Sequence, residues 1–200
     1  MAGSWEWLAS ETLDSDGDTI DTGAFAVKRY LKVVIDLASN SGDNRPCLRF
    51  NGDDDPNYSD RYSGNGGTDG TGQDRTNIRA FGYNDPDRTK YAVVNIGNIA
   101  NREKLTSQFA MDNGGDGAGN VPNRDESIGE WDNVSDAITS IQVFNDEGGN
   151  FESGSIVTVW GADDAPLVYP NLENGTIFIT SDSNVHYMWN SSAETWHEVA

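Results

Sequence analysis

Asp14-Ser15-Asp16-Gly17-Asp18-Thr19-Ile20-Asp21 places carboxylates at alternate positions, the spacing with which a loop can begin to wrap a hard cation. Asp14, Asp16 and Asp18 are therefore candidate ligands for Ca²⁺. Thr19 stands where a calcium loop needs glycine, and Phe25 where it needs a closing glutamate. Asp53-Asp54-Asp55 is a second acidic cluster, and in so acidic a chain both runs also read as solvated turns. The glycines at 114, 115, 117 and 119 lack the lysine and strand–helix setting of a phosphate loop, and Asp116 would repel a phosphate. That segment reads as a flexible or intersubunit loop.

His186 and His197 are the only histidines, and both lie beside aromatics, a setting for packing or backbone hydrogen bonds rather than catalysis. No Gly-x-Ser-x-Gly elbow or His-Glu-x-x-His zinc motif occurs. Catalytic residues are therefore not assigned, and no cofactor is expected apart from Ca²⁺ at the 14–18 run. Cys47 is the single cysteine, in Pro46-Cys47-Leu48-Arg49-Phe50, which excludes an intrachain disulfide and suits a small buried hydrophobe. Asn57, Asn133, Asn174 and Asn190 open glycosylation sequons but read as turn asparagines.

The charge balance limits the partners. Thirty-three Asp and Glu oppose thirteen Lys and Arg, a formal net charge of −20 over 200 residues. Aspartate leads with 23 against 10 glutamates, and lysine appears only at 28, 32, 90 and 104. Such self-repulsion destabilises a compact state in dilute buffer. In molar salt it is screened over about 3 Å. The composition reads as adaptation to concentrated salt. Nucleic acid and anionic membrane surfaces are disfavoured. No apolar run is long enough to span a membrane. The opening residues, Met1 to Trp7, carry neither the basic start nor the apolar core of a signal peptide, so synthesis in the cytoplasm is expected.

Short β-rich runs separated by Gly/Asp/Asn/Ser clusters predict an all-β protein. Leu31, Val33, Ile35 and Leu37 alternate onto one face. Further strands are expected over 5–12, 46–50, 77–83, 91–99, 104–111, 138–145 and 155–160. About eight strands suit a jelly-roll-like β-sandwich over 1–165. Residues 51–76 and 112–123 read as long loops whose ordering calls for a neighbouring subunit. Residues 166–200 form a C-terminal β-meander, too small for its own core. Phe178, Tyr187, Trp189 and Trp196 are its packing surface, and Tyr187, Trp189 and Trp196 are also candidate glycan or interface aromatics.

Several segments carry a resemblance. Leu48-Arg49-Phe50-Asn51-Gly52-Asp53, followed by Asn57-Tyr58 and by Arg61-Tyr62-Ser63-Gly64-Asn65-Gly66-Gly67, is similar to a segment recurrent in tailed-virus virion proteins. Asn98-Ile99-Ala100-Asn101-Arg102-Glu103-Lys104-Leu105 belongs with it, as does the stretch from Gly117 through Pro122-Asn123-Arg124. Gly129-Glu130-Trp131-Asp132-Asn133, with Ile138-Thr139-Ser140-Ile141 and Gly154-Ser155-Ile156-Val157, fits the same kind of protein. The ending, Asn174-Gly175-Thr176-Ile177-Phe178 through His186-Tyr187-Met188-Trp189-Asn190 and Thr195-Trp196, resembles short β modules of phage structural proteins.

The resemblance implies a non-enzymatic virion surface protein. With the acidic composition it points to a tailed virus of haloarchaea, where the chain would decorate the capsid or form turrets. The expected partners are further copies of the chain, most simply as a homotrimer, and other virion proteins such as the major capsid protein. Neither nucleic-acid binding nor membrane insertion is expected. Two other classes remain open. A tail-fibre or baseplate adhesin would bind host-surface glycans through aromatics and loops such as 51–76, and a polysaccharide depolymerase would need a carboxylate pair in a cleft.

Overall fold

A computed structural model describes residues 4–38, 40–42, 44–81, 88–164, 175–179, 186–190 and 195–199. The chain divides into two compact units, residues 2–164 and residues 165–200 together with Met1. Among the described residues there is no helix, and the architecture is all-β.

Among its described residues the larger unit holds fourteen strands: β1 (Glu6–Thr12), β2 (Thr19–Asp21), β3 (Tyr30–Leu37), β4 (Asn40–Ser41), β5 (Pro46–Phe50), β6 (Tyr58–Gly64), β7 (Gly70–Arg75), β8 (Ile78–Arg79), β9 (Lys90–Gly97), β10 (Lys104–Asp112), β11 (Asn123–Trp131), β12 (Ile141–Asn145), β13 (Asn150–Phe151) and β14 (Ile156–Ala162). Eight form one antiparallel sheet in the order β1-β14-β3-β9-β10-β11-β6-β7. Four form a second sheet in the order β2-β12-β5-β8, and β13 pairs with β4. Leu31, Val33, Ile35, Val94, Val157 and Val159 of the large sheet join Ile20, Leu48, Phe50, Ile141 and Val143 of the small one in a single apolar core. This is a β-sandwich of unequal sheets. The finer jelly-roll expectation finds no support in this strand order.

The alternation of β3 translates directly into packing, since Leu31, Val33, Ile35 and Leu37 are fully buried. The expected loop over 51–76 is corrected: it contains the β6–β7 hairpin. Its turn is Asn65-Gly66, both at positive φ, with Gly67 N–H donating to the Gly64 carbonyl at 2.8 Å. Asn-Gly is the pair that tolerates a type I′ turn and matches strand twist. The run 123–131 is likewise a full strand, whereas the expected strand over 77–83 is described only as β8.

Residues 113–122 do connect two strands as a glycine-rich loop, and this loop is tied internally. The Asp112 carboxylate accepts the Gly114 N–H at 2.7 Å and the Asn123 amide at 3.1 Å. Gly129 lies on the inner face of β11, where an added Cβ would sit 2.6 Å from Ile78 Cγ2 and 3.0 Å from Thr106 Oγ1. Gly129→Ala is expected to lower stability by about 1–3 kcal/mol. Urea unfolding checks this, and an unshifted midpoint would mean that Ile78 yields freely.

The smaller unit contains a three-stranded antiparallel sheet, β15 (Ile177–Ile179), β16 (His186–Asn190) and β17 (Thr195–Val199). Trp189 is opposite Trp196 with ring centroids 5.3 Å apart, and Tyr187 shares their face. The expected boundary at residues 165 and 166 and the Phe178 side chain fall outside what is described.

Candidate functional site

The large sheet has an inverted side-chain distribution at its β10–β11–β6 end. Lys104, Thr106, Gln108, Asp125 and Asp60 are buried, while Leu105 is 60 % exposed, Ile128 57 % and Phe109 45 %. Registry is the cause. Val94 must face the core and pairs with Gln108, which pairs with Ser127, so the polar side chains are carried inward together. They are put to use there. Gln108 Nε2 donates to the Arg79 carbonyl at 2.7 Å, Ser127 Oγ donates to the same oxygen at 3.1 Å, and Asp60 accepts the Arg79 N–H at 3.1 Å. These bonds seat β8 on the sheet, and the Arg79 guanidinium stacks on Tyr62.

The outer face then falls into two regions. Over β1, β14, β3, β9 and β10, apolar side chains align in register: Trp7 beside Trp160, Val34 beside Val93 beside Phe109, and Tyr91 beside Met111. All except the half-buried valines are more than one-third exposed. Over β10, β11, β6 and β7 lie three adjoining depressions. The central one, about 390 Å³, is floored by Leu105 and Ile128 and rimmed by Ser59, Arg61, Gln73 and Glu130. A second of about 350 Å³ shares Ser59, Gln73 and Glu130 and extends to Asn57 and Asp132. A third of about 330 Å³ shares Arg61 and Ile128 and extends to Ser63, Asp69 and Glu126. Arg61 pairs with Asp69 at 3.3 Å. Burial raises the Glu130 pKa above the usual carboxylate range, helped by the charges of Glu103 and Asp132 and a hydrogen bond with Glu103.

A rigid cluster supports the Asn57 end. Trp131 Nε1–H donates to Asp53 Oδ2 at 2.7 Å, Asn57 Nδ2 to the same oxygen at 3.0 Å, and Asp55 N–H to Asp53 Oδ1 at 3.0 Å. Burial pushes the Asp53 carboxyl upward, but the donors from Asn57, Trp131 and Asp55, with the charge of Arg49, outweigh it and leave the pKa lowered. A depressed folded-state pKa stabilises the fold above the unfolded value, and that contribution is lost as pH falls through the folded value. Asp53→Asn is thus expected to lower stability at neutral pH and to flatten the acid limb of the stability profile. Urea titrations across pH 2–7 read this, and parallel wild-type and variant profiles would count against it.

The sequence candidates are placed as follows. Asp14, Asp16 and Asp18 are exposed. Asp16 accepts the Ser153 N–H at 2.9 Å, and Gly17 bridges to Phe151. Among the described residues no group of three or more His, Cys, Asp or Glu is placed to hold a metal ion, so the spacing does not become a converging ligand set. Asp53, Asp54 and Asp55 form no such set either: Asp53 is bonded to Trp131 and the other two are exposed.

Trp189 is buried and Trp196 and Tyr187 are half-buried, while His186 and His197 are exposed on the other face of the meander. Cys47 is fully buried, and desolvation pushes its thiol pKa up to about 12. A thiol reagent at pH 8 is expected to label Cys47 only after denaturation; rapid native labelling would contradict this burial. Arg61, Gln73, Ile128 and Glu130 carry no motif. Their one signal in the sequence is the Asn65-Gly66 turn, which pairs β6 with β7. Comparisons with family models, with characterised proteins and with solved structures find no match.

Proposed function

We propose that the protein is a non-enzymatic structural component of a particle surface assembled in concentrated salt, the decoration or turret role on a halophilic tailed virus that its sequence resemblance implies. The observation that carries the reading is the outer face of the large sheet, where Trp7 and Trp160 are exposed side by side on β1 and β14, and Tyr91, Phe109 and Met111 are exposed together on β9 and β10. A chain with this charge keeps apolar groups scattered unless they meet a partner. Shape and apolar contact are also the forces that survive where long-range charge steering is screened. The partner is a second copy of the chain, in a closed homo-oligomer, most simply a trimer, seated on other virion proteins.

Light scattering in molar potassium chloride tests the assembly. The wild type is expected to be oligomeric at micromolar concentration, and Phe109→Glu with Trp160→Glu monomeric at an unchanged circular dichroism spectrum. A monodisperse wild-type monomer would sink the reading. Labelled electron microscopy of particles would separate head from tail, with signal confined to the tail tip favouring an adhesin.

A further inference from the structure

We propose that the three depressions over β6, β7, β10 and β11 form one extended binding site for a neutral oligosaccharide. The site goes beyond the assembly role: it shares the high-salt setting of that reading and not the assembly itself. The depressions follow one another along β6 and β11, each sharing residues with the next. From Asp132 to Glu126 the floor runs six residues of strand, roughly 20 Å at the rise of a β-strand. A linear chain of sugars fits that shape better than a compact metabolite, which takes a deeper and more enclosed pocket.

The chemistry of the lining narrows the ligand further. Arg61 supplies a fork of donors, Gln73 an amide that both donates and accepts, and Ser59 and Ser63 hydroxyls of either sense. Glu130, Glu126 and Asp132 supply acceptors. Sugar hydroxyls donate and accept at once and satisfy such a mixed set. Leu105 and Ile128, more than half exposed at the centre of the row, offer an apolar floor for the C–H face of a pyranose. An anionic ligand is disfavoured because Arg61 is already paired with Asp69 and carboxylates surround it. A cationic ligand would depend on attraction that molar salt screens. Hydrogen bonding and apolar contact remain, and the neutral sugar uses both.

The arrangement is also held ready. Arg61 lies between Ile128 on β11 and Thr71 on β7 in the antiparallel registers. The Asp53–Trp131–Asn57 hydrogen bonds fix the far end. Ordering before binding lowers its entropic cost.

Isothermal titration calorimetry in molar potassium chloride tests the proposal, using the whole chain with maltohexaose, cellohexaose, mannohexaose and chitohexaose, and tetragalacturonate as the anionic control. At least one neutral hexasaccharide is expected to bind, with tetragalacturonate silent. Arg61→Ala and Ile128→Asp are each expected to weaken binding tenfold or more, and Gln73→Ala severalfold, with circular dichroism unchanged. Trp160→Glu, in the other region of the face, is expected to alter assembly and leave binding intact, so the two proposals fail separately. Absence of heat with every neutral hexasaccharide, preference for the galacturonate, or binding indifferent to Arg61 and Ile128 would each overturn the site.

Discussion

Moved from multimolar potassium chloride into dilute buffer, the protein is expected to lose at least about 10 °C of melting temperature. For a chain of this size each kcal/mol of stability moves the midpoint by about 2–4 °C, so a loss of only about 3–5 kcal/mol suffices. Twenty carboxylates remain uncompensated even if every Lys and Arg pairs once. Two cations among the described residues are shared: Lys28 bridges Glu6 and Asp163, and Arg45 bridges Asp146 and Glu147. The remaining repulsion reaches about 10 Å at 0.1 M salt and about 3 Å at 1 M, so its screening separates the two conditions. Calorimetric melts across a potassium chloride series measure it. Equal midpoints at both ends would remove the salt-adaptation reading and with it the setting of the proposed function.

Replacing Trp131 with alanine is expected to cost about 3–5 kcal/mol, the largest effect of any single substitution proposed for this chain. Its indole is 1 % exposed, stacks on Tyr58 with ring centroids 6.3 Å apart, and tilts against Phe50 at 5.8 Å. The same three rings join β5, β6 and β11, so they couple the small sheet to the far end of the large one. The loss has two separable parts. Trp131→Phe keeps an aromatic ring but removes the N–H that reaches Asp53, and is expected to cost about 1–3 kcal/mol for the abandoned acceptor. Urea unfolding in molar salt distinguishes the variants. A Trp131→Ala protein within about 1 kcal/mol of wild type would show that the cluster does not couple the sheets.

Where one face of a strand is apolar and the other polar, residue order and packing agree, as in β3. The Phe50–Asp53 turn also agrees, with Asn51 and Gly52 at positive φ and the Asp53 N–H returning to the Phe50 carbonyl at 2.9 Å. The hairpin at 58–75 was hidden because its strands are rich in Gly, Ser, Asp and Arg, and a two-sided polar strand has no apolar period to announce it. Only the Asn65-Gly66 pair marks it locally. The alternate carboxylates at 14–18 show the converse: a suggestive spacing on an exposed turn that the fold does not gather into a ligand set.

All-β class and much of the core follow from the sequence by itself, because strand alternation and turn residues are local properties of the chain. What only the tertiary structure decided is the direction in which β10 and β11 face. By hydrophobicity alone, Leu105, Phe109 and Met111 would be the buried side of β10. Pairing with β9 overrules that preference. Ala92, Val94 and Ile96 belong to the core, and their partners Ala110, Gln108 and Thr106 must share their face. A period of two allows no compromise: either face of a strand goes inward as a whole. The interior bonds to Arg79 offset part of the burial of polar groups, and the displaced apolar side chains become the outer surface on which both proposals rest.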